Sequence, residues 1–386
     1  MGAVLTGRTG PPARHRHRRG PLVGCLAALL ALVLIAGACS SGRGEDSIPE
    51  TTDAPAAEET GSSFGDLDSP CGPGEAAGTT AQGVTDDSIT IGYGDDAGFS
   101  ANPGIGHHAS DAMEALIAWC NDLGGINGRP IKGSYYDANF PSVIDFGQRI
   151  VGAVGTVGFE FLPCTIQYQI SGVSDFRPYL QRLKDCGVET VMTVDVETNL
   201  MNVLDAANQL DYHPIWINIA ASVYTETFAA ANTNGNADRV YFLNGMVPLD
   251  DTPEGSANAK YVELVTEHGG DIGYVGQLAT SAFLLWATAA KACGSDLTRE
   301  CVLEHLGGVH EWTAGGLSSP QDPGSNMVGH CELVMKVEGT SYVQWEPTAE
   351  GQFACDESYA VKVDPEPDAM ATLRLDGDRV AQKNLP

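Results

Sequence analysis

The chain has 386 residues, 43% of them hydrophobic, with 50 acidic against 21 basic side chains and a formal net charge of −29 at pH 7. That length and apolar content allow two cores of ordinary size. A surface so acidic repels nucleic acid and anionic lipid, so no nucleic-acid partner is expected; it suits solubility outside the cell and says nothing about a ligand.

Residues 1 to 38 carry Arg8, Arg14, Arg16, Arg18 and Arg19 and no acid, followed by the apolar run Pro21 to Ala38. A basic start, an apolar run and small residues before a cut describe an export signal. A transmembrane anchor is the competing reading of a run that could nearly span a bilayer, and the small residues at its end favour the signal. The sequence Ala36-Gly37-Ala38-Cys39-Ser40 resembles a bacterial lipobox, which implies lipidation of Cys39 and an extracytoplasmic protein anchored by lipid to the cell membrane. Removing residues 1–38 leaves 16 basic side chains against 50 acids, a net charge of −34. The stretch 39–80 is rich in Gly, Ser, Thr, Pro and acids with Phe64 as its only aromatic, and is expected to be a disordered tether.

Of ten cysteines, Cys25 lies in the signal and Cys39 takes lipid, leaving eight for the mature fold. An even number in an exported chain implies disulfides, whereas a metal site would need CxxC or clustered Cys/His spacing, which is lacking. Spacing suggests Cys293 with Cys301, Cys331 with Cys355 and Cys164 with Cys186, which leaves Cys71 and Cys120.

In chain order, the first unit runs from Gly83 to Asp137. Ile89 and Ile91 alternate with Thr90 and Gly92, predicting a strand over Ser88–Gly92 that breaks into the loop Gly94–Ser100. Met113, Leu116, Ile117 and Cys120 share one helix face, Gly124-Gly125 ends that helix, and a strand over Pro130–Tyr136 completes a βαβ crossover. Next, Phe146–Val157 predicts a helix and Phe159–Cys164 a short strand. Ser174 is expected to cap a helix carrying Phe176, Tyr179, Leu180 and Leu183 that Gly187 ends, before the buried strand Val188–Val194. Asn199 is expected to cap a helix with Leu200, Val203, Leu204, Ala207 and Leu210 inward; strands over Pro214–Ile219 and Val240–Val247 follow. A helix around Tyr261, Leu264 and Val265 is amphipathic, Val275–Ala292 is apolar nearly all round, and Asp296 is expected to cap Leu297–Leu306. Alternation of this kind means an α/β fold of parallel sheets with helices on both faces.

No GxSxG elbow, Walker A loop, HExxH or EF-hand loop occurs, so the chain reads as a non-enzyme with no cofactor and no metal. His107-His108 beside Ser110 and Asp111 could suggest a hydrolase, but capping at a helix start explains Ser110 and Asp111 more simply.

GVTDDSITIG from Gly83, followed by a helix ending in GGINGRPIKGSYYDA, resembles the start of the type I extracytoplasmic solute-binding proteins of ABC transporters, the branched-chain amino acid (leucine/isoleucine/valine-binding) family. DFRPYLQRLKDCGVETVMTV with NVLDAANQLDYHPIWI, and later WTAGGLSSPQDPGSN and HCELVMKVEGTSYVQW, continue the resemblance. It implies a two-lobed fold, with lobe one over 81–141 and 250–328, lobe two over 142–249 and 329–363, and a tail over 364–386. It also implies a monomer that captures an amino acid or amide and delivers it to an ABC permease in the membrane. Between Tyr136 and Phe146 the chain is too short for even one crossover unit of about 30 residues, so lobe one is expected to be incomplete. Two strands are few for burying Val275–Ala292, which predicts a loosely packed first lobe and weak or absent binding, and gives weight to a non-transporting sensor or remnant.

In such a fold the loops leaving the carboxyl ends of the strands face one cleft. Lobe one offers Asp95, Asp96, Phe99 and Ser100; lobe two offers Asp195, Glu197, Asn218, Ser222, Tyr224 and Met246. An amino-acid ligand needs a carboxylate for its ammonium group, and the resemblance implies a ligand contact at Asp195 or Glu197. Donors for the ligand's carboxylate would come, on the same resemblance, from the shortened stretch after Tyr136.

Overall fold

The computed structural model describes residues 3–5, 63–100, 102–137, 162, 164, 166, 168–169, 171–219, 221–327, 329–349 and 351–359. The expected helix Phe146–Val157, most of the strand Phe159–Cys164, Cys39 and the tail 364–386 lie outside these residues. Among the described residues no helix is long and apolar enough to cross a membrane.

In chain order the elements are β1 (Ala3–Leu5), β2 (Ile89–Asp95), α1 (His108–Asp122), β3 (Ile131–Asp137), α2 (Arg177–Asp185), β4 (Thr190–Thr193), α3 (Glu197–Gln209), β5 (Ile215–Asn218), α4 (Glu226–Ala231) and β6 (Val240–Asn244). They continue with α5 (Ala257–Glu267), α6 (Tyr274–Cys293), α7 (Arg299–Leu306), β7 (Cys331–Glu338), β8 (Ser341–Glu346) and β9 (Ala354–Cys355). β2 and β3 form a parallel pair in register from Ile89 opposite Ile131 to Asp95 opposite Asp137. The second sheet has the order β1-β4-β5-β6-β7-β8, with β9 on β7. Strands β4, β5 and β6 run parallel, as the alternation with helices predicts. β7, β8 and β9 run antiparallel, so this sheet is mixed rather than parallel throughout. The reason is local: only Gly339 and Thr340 separate β7 from β8, and so short a link can make only a hairpin. β1 lies antiparallel along β4, at the end of the sheet, and belongs to the stretch read from sequence as an export signal.

Two hydrophobic cores result. The first gathers Leu116, Trp119, Ile131, Tyr261, Phe283 and Leu284 around β2, β3 and α6. The second gathers Leu180, Leu200, Val203, Trp216, Phe242 and Met335 around the second sheet. Helix α1 buries Ala112, Ala115, Leu116, Trp119 and Cys120. Met113 and Ile117, expected inward, are only partly buried because the small Ala112 and Ala115 let α1 approach its neighbours closely on that side.

The first core is better filled than the sequence led us to expect, and the difference comes from residues read as tether. Phe64 is fully buried and meets the Trp119 ring edge-on with centroids 5.7 Å apart. Cys71 pairs with Cys120, which fixes the last two unassigned cysteines, and Lys291 Nζ donates to the Ser69 carbonyl at 2.8 Å. Arg129, only 1% exposed, donates to the carbonyls of Gly294 (2.6 Å) and Gly78 (3.4 Å), setting its charge at the carboxyl end of α6 where a cation is favoured. A segment poor in apolar residues can thus be ordered by one aromatic, one disulfide and backbone hydrogen bonds.

The other pairs are Cys164–Cys186, Cys293–Cys301 and Cys331–Cys355, as spacing suggests. Three expected caps are displaced. α2 starts after Phe176 rather than Ser174, because Pro178 carries the backbone angle that opens a helix. α3 starts at Glu197, which leaves Asn199 buried inside its first turn. At α7 the cap is Thr298, whose Oγ1 accepts from the Cys301 N–H at 3.1 Å, while Asp296 belongs to the turn before it.

Candidate functional site

The carboxyl ends of β2, β4 and β5 lead to a cavity of about 490 Å³. The loop Asn102–His107 and His108 at the start of α1 enter it from the first core's side, Val196–Thr198, Ser222, Glu226 and Thr227 from the second sheet's side, Thr266 from the end of α5, and Gly270–Ile272 from the link between α5 and α6. The amino ends of α1 and α3 both reach it, and neither helix has a side-chain cap hydrogen bond. N–H groups in the first turn of a helix, at the positive end of its dipole, are donors for an anionic group.

Glu197 supplies the opposite chemistry. Its carboxylate accepts from Thr225 Oγ1 at 3.1 Å and Thr227 Oγ1 at 3.2 Å, and burial nevertheless holds it above the usual carboxyl range. A cation beside it would restore the ionised form. Glu226 and Asp271 add negative charge to the lining, and no Lys or Arg is present in it among the described residues. The cavity therefore offers acceptors for an ammonium group and backbone donors for a carboxylate.

At its rim His107 Nδ1 lies 2.9 Å from Asp111 Oδ2, which also accepts from the Asp271 N–H at 3.0 Å. This ties α1 to the link before α6, so Asp111 acts as a clasp rather than a cap. His107, Asp111 and Asp271 stand close enough to offer ligand atoms to a metal ion, but the hydrogen bond between the first two already explains their grouping. His108 stacks on His107 at 4.2 Å, and burial, followed by repulsion from His107, lowers its basicity. A Cβ on Gly273 would stand 2.8 Å from His108 Cδ2, so the backbone approaches there as only glycine allows.

The residues singled out from sequence divide into four groups. Glu197 and Ser222 line the cavity. Asn218 and Tyr224 line a separate, smaller cavity described below. Asp95 is buried; burial tends to raise its carboxyl, but hydrogen bonds from Ser110, the Ala97 N–H and Tyr135, together with His107, outweigh it and hold it low. Asp95 thus fixes the loop before α1, with Tyr135 donating at 2.7 Å and Ala97 N–H at 2.9 Å, and does not face the cavity. Asp96, Phe99 and Ser100 form the turn behind it, closed by Phe99 N–H to the Asp96 carbonyl at 2.9 Å. Burial raises the Asp96 carboxyl, and so do Asp95 and Asp137.

Asp195 is also buried; it accepts from the Val196 N–H at 2.8 Å and from the Tyr168 hydroxyl, and burial holds its carboxyl up against these bonds. Met246, expected with the second lobe, is 2% exposed and belongs to the first core, because the chain has already turned back towards that core when it leaves β6. His107, His108, Glu226, Thr227 and Asp271 also line the cavity and were not singled out from sequence as candidates for it. The signal for the histidines was present, since they end the loop that follows β2. Asp271 comes from a link far along the chain, and nothing local marks it.

The family model for periplasmic binding proteins matches residues 136–341, more than half of the chain. Among solved structures, the chain is similar to a fatty acid ABC transporter substrate-binding protein from Thermomonospora curvata, at 13% identity and a TM-score of 0.52, over 76% of this chain and 99% of that one. It is also similar to the branched-chain amino acid transporter substrate binding protein LivJ from Streptococcus pneumoniae, in complex with isoleucine, at 12% identity and a TM-score of 0.47, over 67% and 100% of the two chains. A periplasmic binding protein type 1 from Bordetella pertussis Tohama I follows at 10% identity and a TM-score of 0.49, over 67% and 100%. No curated protein matches the sequence. With a two-lobed α/β fold, a cavity between the two cores and a family match across both, this chain belongs to the periplasmic binding protein family.

Proposed function

We propose that this chain is the exported, lipid-anchored solute-binding component of an ABC importer, taking a small zwitterionic solute, an amino acid or a close amide relative, and delivering it to a membrane permease. The observation that carries this reading is the 490 Å³ cavity, which joins the uncapped amino ends of α1 and α3 to the Glu197 carboxylate. The family is one of solute-binding proteins, and periplasmic binding proteins close two lobes on a ligand by hinge bending. Glu197 is the natural partner of the ligand's ammonium group, and Ser222 lies in the same lining.

Calorimetric titration of the mature protein with a panel of amino acids and amides tests the reading. One member of the panel is expected to bind in the micromolar range, and Glu197→Gln to weaken it by about ten- to a hundredfold, the cost of one charge-assisted hydrogen bond. An unchanged dissociation constant in that variant would remove Glu197 from the site. The sensor or remnant reading draws on the first sheet having only β2 and β3 among the described residues, and it would prevail if no member of the panel binds.

Lipid anchoring makes its own prediction. Cys39→Ala is expected to release the protein from the membrane fraction or to block signal removal, since no other feature of residues 39–80 would hold it to the membrane. Membrane fractionation with the mass of the processed chain decides it, and a processed variant still bound to membrane would refute it.

A further inference from the structure

A second cavity, of about 190 Å³, lies at the carboxyl edge of the second sheet, lined by Asn218 at the end of β5, Asn244 at the end of β6, Glu332 in β7, and the rings of Tyr224 and Tyr274. Its polar groups are not balanced within the protein. Asn244 is 1% exposed; its Oδ1 accepts from the Met246 N–H at 3.3 Å, and its Nδ2 has no hydrogen-bond partner among the described residues. Among the described residues the Tyr224 hydroxyl likewise has no hydrogen-bond partner of good geometry, although the Asn244 side chain and the Leu249 backbone lie beside it. Among the described residues no basic side chain lines the cavity beside Glu332. Native proteins leave few buried polar groups unpaired, and a cluster of them around one cavity marks a place for a partner.

We infer that this cavity binds a small amine cation carrying a neutral oxygen two or three bonds away, with its ammonium group on Glu332 and its oxygen facing Asn244 Nδ2 and the Tyr224 hydroxyl. A partly buried carboxylate without a cation is satisfied by an ammonium group, which also supplies a charge-assisted hydrogen bond. The two orphaned donors require an acceptor on the same ligand. That acceptor is neutral, because a second carboxylate would meet Glu332 with no base in the lining to offset it. Tyr274 adds a further donor, since its hydroxyl oxygen accepts from the Gly245 N–H at 3.4 Å and its own proton is left for the ligand. The volume equals roughly six waters at about 30 Å³ each, which suits a ligand of a few heavy atoms. The cavity opens beside Leu243, which is 53% exposed, so such a ligand can enter. In the absence of a cation, burial holds the Glu332 carboxyl at about 7, which agrees with a group lacking its counter-charge.

The site is separate from the larger cavity and does not depend on which solute that cavity holds. Titration calorimetry of the mature chain at pH 8 with ethanolamine, n-propylamine and glycine tests it. Ethanolamine is expected to bind with one-to-one stoichiometry, and n-propylamine, which lacks the oxygen, and glycine, which carries a carboxylate, at least tenfold more weakly. Glu332→Gln is expected to weaken ethanolamine at least tenfold, and Asn244→Leu to bring it down to the level of n-propylamine. Two independent variants keep the result readable if one of them folds poorly. Absence of binding to the unsubstituted chain, or equal affinities in Glu332→Gln, would overturn the inference. Loss of ethanolamine binding in Glu197→Gln with retention in Glu332→Gln would place the amine in the larger cavity, overturning the inference while leaving the proposed function intact.

Discussion

Phe64→Ala is expected to destabilise the mature chain by about 3–5 kcal/mol, the usual cost of truncating a fully buried aromatic side chain. Phe64 has no exposed surface, lies edge-on to Trp119, and belongs to the same core as Leu116, Ile126 and Tyr261. The substitution leaves a cavity against α1, whose neighbours are held by the Cys71–Cys120 disulfide and cannot fully collapse into it. A fall in melting temperature on the order of 10 °C follows. Were residues 63–80 a solvated tether, the same substitution would fall within about 0.5 kcal/mol of neutral. Thermal unfolding of the mature protein, with and without the substitution, separates the two outcomes. Loss of the Cys71–Cys120 bond, which closes a sequence separation of 49 residues, acts in the same direction.

Glu332→Gln is expected to stabilise the protein above neutral pH and to leave it unchanged in acid. Burial raises this carboxyl from 4.5 to about 7 in the folded state, while the unfolded chain keeps the lower value. Below about 4.5 both states hold the proton, and the full stability is present. Between about 4.5 and about 7 only the folded state holds it, so stability falls as pH rises through that window. The loss is at most about 3 kcal/mol, and smaller once screening by the solvent that reaches this partly buried group is counted. The neighbouring hydroxyls of Tyr224 and Tyr274 are both pushed upward by burial and so titrate far above this window. Urea unfolding at pH 4 and pH 8 measures the effect. Parallel behaviour of variant and parent at both pH values would show that Glu332 is not perturbed by its surroundings.

The placement of β4, α3 and β5 was legible because their apolar residues follow the period of the element they form. Leu200, Val203, Leu204 and Ala207 all point inward from α3, and all are buried. The caps were less legible. Ser, Asn and Asp are competent at many neighbouring positions, and a proline at 178 or a threonine at 298 decided the true starts of α2 and α7. Glu197 and Ser222 could be assigned to the cleft from chain order alone, since the carboxyl end of a parallel strand faces the ligand in any open α/β sheet. Asp95, Asp195 and Met246 carry the same positional signal but turn inward, and only the packed neighbours Ser110, Tyr168 and the first core reveal it.

The sequence by itself determined the α/β class, the order of the described elements from β2 to α7 apart from α4, and three of the four disulfides, because hydrophobic period and cysteine spacing are local properties of the chain. Tertiary structure decided the rest: that Phe64 and Cys71 complete the first core, that Asp271 reaches the rim of the larger cavity beside His107, and that Glu332 meets Asn218 and Asn244 in the smaller one. Each of these groupings joins residues distant in sequence. Their energies depend on burial and on the partners available at one place, which no local pattern encodes.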